Sequence, residues 1–288
     1  MVFLSIVIPA HNEEKTIGMC LKSLLPQLKN NIELIIVNDG STDKTKEIVK
    51  SMIKKTRNVK LLNFSQGHSA AFARNRGSKL AKGSWLVFLD ADHIVEKSFI
   101  KKLTEHLKNA NFDGSDYMVF SYKPRTLIQR AWSIYREMHP STGLTHIIKR
   151  SVFKRLKGFR EDIFYYEDED LRRRFHAMGF KFCGPLPIKV FHVEPETFND
   201  FFRQRKWQGR GIACFLKRGD IFVLKYFLPV VLLFTLPFTL LPSMAYFLLM
   251  IIYLAYRTRR LVDSTLWTFF DLIGRIISFP YFILEMVR

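Results

Sequence analysis

The chain is poor in cysteine, with Cys20, Cys183 and Cys214 as its only three in 288 residues and no CxxC pair. An odd, scattered set excludes a zinc ribbon and a disulfide-stapled secreted scaffold, and fits free thiols in a reducing compartment. No GxGxxG follows the first apolar run, which removes the dinucleotide-dependent oxidoreductases. Zinc fingers, RNP motifs and basic heptads are also missing. Nucleic acid is therefore not the expected partner, although 45 Lys+Arg against 26 Asp+Glu give a net charge of +19. Anionic lipid or phosphate-bearing substrates remain as counterparts to that charge. There is no internal repeat and no low-complexity tract. The N-terminus has no basic start, and its apolar run is too short for a signal-peptide core, so the first domain is expected to stay in the cytosol. One long stretch, residues 226–256, lacks charge altogether.

What is present alternates. Residues 4–8, 33–37, 59–62 and 85–89 are short, largely apolar and rich in branched side chains, the pattern of strands covered on both faces. Residues 14–28, 43–54, 69–82 and 97–108 read as helices between and after them. Ser41, Thr42 and Asp43 offer N-caps to the second helix, and Gly83 is placed to end the third in a left-handed conformation. Alternating units predict an α/β fold with a mainly parallel sheet flanked by helices. Ligands bind such sheets at the carboxyl ends of the strands.

Those ends carry polar, acid-bearing loops. Strand one exits into Pro9-Ala10-His11-Asn12-Glu13, strand two into Asn38-Asp39-Gly40-Ser41, and strand four into Asp90-Ala91-Asp92-His93. In an extended chain Asp90 and Asp92 share one side and suit a hard cation such as Mg²⁺ or Mn²⁺, able to bridge the diphosphate of a sugar nucleotide. Asp39 could accept from a nucleobase imide or a ribose, or simply shape a turn, with Ser41 capping the next helix. Pro9, His11 and Glu13 could wall the base and ribose. In the segment 67–77 the alanines suit tight helix–sheet packing, while Arg74 or Asn75 suits a donor contact. Glu167-Asp168-Glu169-Asp170 puts four acids in a row, so one carboxyl should titrate high and could serve as a general base; the run could equally be an acidic helix start, or both could hold. His192 could supply a nitrogen to the metal, or be structural.

In order and spacing these motifs resemble the family 2 glycosyltransferases of the GT-A fold. The resemblance rests on Ser5–Glu13, Val37–Asp43, Ala73–Gly77, Leu89–Asp92 and Tyr166–Leu171, and covers residues 3–215. It implies that Asp39 reads the base, that Asp90 and Asp92, with Ala91 between them, manage the metal diphosphate, that Asp168 is the catalytic base, and that His192 is a metal ligand. It also implies an inverting reaction. Residues 203–211 match the QxxRW element of processive synthases only in part, with Lys206 before Trp207, so polymer synthesis is not expected.

Three regions are expected: a catalytic domain over 1–219, whose 201–219 segment is basic and aromatic and suits a membrane interface; a transmembrane hairpin or span over 220–263; and an amphipathic interfacial tail over 264–288. As one helix, residues 226–256 would run about 46 Å against about 30 Å of hydrocarbon. Arg210, Lys217, Arg218 and Lys225 precede them, and Arg257, Arg259 and Arg260 follow, so both ends prefer the cytosol. The expected activity is transfer of a sugar from a nucleotide-diphospho-sugar to a membrane-presented acceptor, a lipid-linked glycan or polyprenyl phosphate, by a cell-membrane protein with its catalytic domain in the cytoplasm. The competing reading is a membrane-tethered sugar-nucleotide-binding protein without turnover.

Overall fold

A computed structural model describes residues 3–54, 56–140, 145–163, 166–217, 236–258 and 260–287. By its contacts the chain divides into two compact units.

The first unit comprises residues 1–122, 141–162 and 167–193 and holds one sheet. Its elements are β1 (Leu4–Ala10), α1 (Ile17–Leu24), β2 (Ile32–Asp39), α2 (Thr45–Ile53), β3 (Val59–Phe64), α3 (Ala70–Leu80), β4 (Trp85–Phe88), β5 (His93–Val95), α4 (Phe99–Lys108) and β6 (Gly114–Ser121). After an excursion into the second unit come β7 (Ile147–Lys149), α6 (Arg150–Arg155), α7 (Glu167–Ala177) and β8 (Phe182–His192), the excursion being α5 (Leu127–Met138). The strands run β3-β2-β1-β4-β7-β6-β8-β5. The first four are mutually parallel. Beyond β4 the sheet is mixed, with β7 antiparallel to β4 and β6, β6 parallel to β8, and β5 antiparallel to β8.

The apolar runs have the expected consequence. Successive residues of a strand face opposite sides, so Leu4, Ile6, Ile8, Leu34 and Ile36 join a core with α1 and α4. Val7, Ile35, Val37, Leu86 and Phe88 join a second core with α3, α6 and α7.

Local details depart from the sequence expectations. The first helix begins at Ile17 and yields to a 3₁₀ turn at Leu25–Gln27, where Pro26 cannot donate into an α-helical ladder. Asp43, rather than Ser41, braces the start of α2: it accepts from the Thr45 N–H, and its other oxygen accepts from the Glu14 N–H. Ser41 instead accepts from the Asn12 N–H, tying the β2 exit to the β1 exit. Ser69 caps α3 by accepting from the Phe72 N–H. Gly83 is not left-handed; it is small because a Cβ there would lie 2.6 Å from the Ser5 backbone nitrogen.

The second unit comprises residues 123–140, 163–166 and 194–288 and is helical where described. Its helices are α5, α8 (Phe198–Leu216), α9 (Leu236–Thr258) and α10 (Leu261–Val287). Ile128, Ala131, Trp132, Ile134, Phe201, Leu254, Trp267 and Phe270 form its core. Gly209 brings α8 and α10 together, since a Cβ there would meet the Ser278 carbonyl at 2.1 Å.

The membrane expectations change here. Among the described residues no helix is long and apolar enough to cross a membrane. Part of the span expected over 220–263, residues 220–235 and 259, lies outside the described residues. The expected interfacial tail belongs to α10, and one face of it is a packing surface: Trp267 and Phe270 are buried, and Asp271, also buried, pairs with Arg275 at 2.8 Å. In the segment expected to be interfacial, Phe201 is fully buried and Arg205 is 3% exposed, while Phe202 and Arg203 point outward. Four-residue spacing places a charge pair on a helix face without saying what that face meets.

Candidate active site

The exits of β1, β2 and β4 lie side by side, because β1 sits between the other two. From the β2 exit, Asp39 is buried at 3% exposure. Its carboxylate accepts from the His68 backbone N–H at 2.8 Å and lies 2.9 Å from His68 Nδ1. The His68 ring stacks on Phe72. The exposed His11 has Nδ1 2.7 Å from the Asp39 carbonyl oxygen. Pro9 is half-buried near the end of β1. Glu13 takes a hydrogen bond from Thr16, and its backbone N–H donates to Thr45 Oγ1. Burial, with Asp92 and Asp90 nearby, pushes its carboxyl up to about 7.

The Asp90–Asp92 segment is a turn, not an extended strand, and the His93 N–H closes it by donating to the Asp90 carbonyl at 3.1 Å. The two carboxylates therefore part company. Asp90 pairs with Arg74 Nη2 at 2.7 Å. Burial alone would raise its pKa, but the Arg74 guanidinium, His93 and His146 hold it far below the usual carboxylate range. Arg74 is 8% exposed and reaches Glu167 through its other terminal nitrogen. Arg74, expected to touch a donor, bridges two carboxylates of the site. Ala91 is buried between the two aspartates.

Asp92 turns toward β8. The register pairs His93 with His192 across β5 and β8. His192 Nε2 stands 3.1 Å from Asp92 Oδ2, and the Val193 N–H donates to the Asp92 carbonyl. Burial would raise Asp92, but His192 and His93 keep it low. Potential ligand atoms of Asp92, His93 and His192 lie within 4.8 Å of one another. The Asp92 Oδ1 atom is buried without a hydrogen-bond partner. An imidazole-and-carboxylate set with an uncompensated oxygen fits a divalent cation of the Mn²⁺ type. Asp90, expected among the ligands, is not in this group. His93, which sequence reasoning passed over, is; its signal was its place directly after the aspartate pair.

Tyr166, with φ 66°, leads into α7. Glu167 and Asp168 open that helix, and the loop before β7 supplies Thr145 and His146. Arg74, Thr145, His146, Phe159, Asp168 and Leu171 line one small cavity. Burial raises the Asp168 pKa, against the opposing pull of His146 and Arg74. Burial likewise raises Glu167, opposed by Arg74. Glu169 and Asp170 are spent on Arg172, Arg173 and Arg174 along the helix. Of the four acids, then, Asp168 is the carboxylate facing a cavity without an arginine bonded to it, as a base requires. The site brings together Glu13, Arg74, Asp90, Asp92, Asp168 and His192, with Asp39 and His11 on the β2 side.

The chain is similar in sequence and fold to known proteins. The family model described as Glycosyl transferase family 2 matches residues 5–175. The chain is 29% identical over 231 residues to the probable glycosyltransferase YdaM of Bacillus subtilis (strain 168), covering 72% of this chain and 54% of that protein. Across the first three curated relatives the match spans 31%, 36% and 54% of their length. Among solved structures, the mannosyltransferase PcManGT of Pyrobaculum calidifontis, in complex with GDP-Man and Mn²⁺, superposes with a TM-score of 0.63 at 18% identity, covering 96% of this chain and 86% of that one. S. aureus TarS 1-349, in complex with UDP-GlcNAc, gives 0.57 at 17% identity, covering 99% of this chain and 91% of that one. At such identities the structural likeness establishes the fold.

Proposed function

Because the chain belongs to the family 2 glycosyltransferases and is a transferase, we propose that it moves a sugar, with inversion, from a nucleotide-diphospho-sugar to an acceptor presented at a membrane. The observation that carries this reading is the division of labour at one sheet edge: Asp92, His93 and His192 gathered on one side, and a cavity-facing Asp168 with raised pKa on the other.

The roles follow from the chemistry of each group. Asp39, with His11 and Pro9, receives the nucleoside; His68 already shows how an N–H donor satisfies the Asp39 carboxylate. Asp92, His93 and His192 would hold a Mn²⁺ or Mg²⁺ ion, which supplies charge neutralisation for the departing diphosphate. Arg74 favours the ionised forms of Asp90 and Glu167 and holds both side chains in place. Asp168 takes the proton of the acceptor hydroxyl while that oxygen bonds to the anomeric carbon, and the bond from that carbon to the diphosphate breaks. The nucleoside diphosphate leaves with the bonding pair. The ligands of the two solved complexes, GDP-Man and UDP-GlcNAc, support the donor class.

Membrane presentation is supported by Leu248, Leu249, Ile252, Tyr253 and Tyr256 on α9 and by Phe269, Ile283 and Leu284 on α10, all more than half or nearly half exposed. With it goes a cytoplasmic catalytic unit at the cell membrane, acting on a lipid-linked glycan or polyprenyl phosphate.

The test is release of UDP from UDP-GlcNAc, or GDP from GDP-mannose, with Mn²⁺ and membrane lipid extract as acceptor source. Release that depends on both the metal and the extract is expected. Release that is stimulated equally by a water-soluble glycan with no lipid present would overturn the membrane part. No release from either donor, with Mn²⁺ and extract supplied, would count against these donor classes.

A further inference from the structure

His146 is not used in the mechanism above, yet it is held on two sides, by a carboxylate and by a stacked ring. Its Nδ1 lies 2.7 Å from Asp116 Oδ1. Asp116 is fully buried, and the same oxygen accepts from the Tyr117 N–H at 2.8 Å. The Tyr117 ring stacks on the imidazole at 4.9 Å and 21°, and its own hydroxyl donates to the Phe88 carbonyl. A carboxylate can only accept, so the imidazole must donate through Nδ1, which leaves Nε2 on the opposite side of the ring.

His146 and Asp168 wall the same cavity. Two further atoms of that wall are buried without hydrogen-bond partners, Thr145 Oγ1 and Arg74 Nε. A buried hydroxyl left open beside a carboxylate and an imidazole is the setting of a bridging water.

We propose that His146, clamped by Asp116, is a positioning residue for Asp168: its Nε2–H holds the base carboxylate, directly or through a water seated on Thr145 Oγ1, in the orientation needed to take the acceptor proton. This rests on Asp168 being the base. The electrostatics agree. Burial disfavours charge on His146, but Asp116, then Asp90 and Asp168, hold its pKa above the ordinary value. Positive charge on His146 opposes the burial that raises Asp168. The arrangement has the logic of an acid that orients an imidazole, with the imidazole in turn orienting the reacting group.

Two readouts test it. In the full-length chain labelled with ¹⁵N-histidine, the His146 Nε2 resonance is assigned by its loss in His146→Asn. Asp168→Asn should shift that resonance, and an unmoved resonance overturns the proposal. The second readout is UDP-GlcNAc or GDP-mannose turnover with Mn²⁺. An Asn amide nitrogen falls near Nδ1, and a Gln amide nitrogen near Nε2. His146→Asn should keep the Asp116 contact, donor Kd and melting temperature while kcat drops about 10–100-fold, the scale of a misplaced catalytic group. His146→Gln should recover part of that kcat. The reverse order, Asn like wild type and Gln impaired, means that His146 only braces Asp116 and overturns the proposal. Asp168→Asn separates the two levels: full turnover in that variant removes the base assignment, whereas a dead Asp168→Asn beside a wild-type His146→Asn removes only the His146 role.

Discussion

Each unit buries an arginine, and the two solve the problem differently. Arg74 in the sheet unit lies between Asp90 and Glu167, so its charge is matched twice over. Arg205 in the helical unit lies over the rings of Trp132 and Phe201, at 4.7 and 5.0 Å, and donates to Gln208; its Nε and Nη2 have no hydrogen-bond partner. Ring faces return part of what desolvation costs a cation but leave its N–H donors unanswered. The contrast separates a region where buried charge is organised for chemistry from one where a charged side chain serves packing. Gly274 underlines the second case, because a Cβ there would lie 2.5 Å from Arg205 Nε.

The comparison can be broken or sharpened in four ways. The largest effect is expected at the proposed base. Asp168→Asn removes a proton acceptor while keeping its shape, so turnover should fall about 10²–10⁴-fold with donor Kd nearly unchanged. Equal losses in turnover and donor affinity would make Asp168 a structural residue and turn attention to Glu167.

Next come the two arginines. Arg74→Met leaves Asp90 and Glu167 buried without their cation and should lower the unfolding free energy by about 3–5 kcal/mol in urea melts. Arg205→Met removes an incompletely bonded cation from an aromatic setting and should stay within about 1 kcal/mol of wild type, or stabilise. Equal losses from the two substitutions would erase the distinction drawn between the units.

The third concerns the cation. Asp92→Ala should weaken Mn²⁺ binding in calorimetry by about tenfold or more, and His93→Ala by a comparable factor, the range expected when a ligand-shell group is removed. Unchanged Mn²⁺ affinity in Asp92→Ala would disqualify the group as the metal site.

The smallest effect is a pH dependence, measured in EDTA. The Glu13 carboxyl is raised from 4.5 to about 7 in the folded chain, so the folded state keeps a proton that the unfolded state has lost. Stability from this group is complete below about 4.5 and declines as pH rises through about 7. Glu13→Gln should flatten that decline, a change on the order of 3 °C in Tm across the window. A slope identical to wild type would show that Glu13 does not carry it.

By itself the sequence determined the strand-and-helix alternation of the first half, the polar exits of β1, β2 and β4, and the family. Uninterrupted branched runs such as Leu34-Ile35-Ile36-Val37 can be satisfied only by burial on both faces, and such burial leaves chemistry nowhere but at the strand ends. Asp39 and Asp92 were legible for that reason; Asp168 was read from its run of four acids, and His192 was left open until the family resemblance pointed to it. Tertiary structure alone decided the pairings. Asp90 and Asp92 look equivalent in sequence, but the turn at Ala91 sends one to Arg74 and the other to His192. His93 and His192 are 99 positions apart and meet only because β5 pairs antiparallel with β8. His146 and Asp116 stand alone in their segments and acquire meaning from the stacked Tyr117 and the cavity shared with Asp168. In the second unit, apolar density predicted helices, but which face of α10 would be buried was set by its packing against α5 and α8. Hydrophobicity records that a side chain leaves water; long-range contacts determine what it meets.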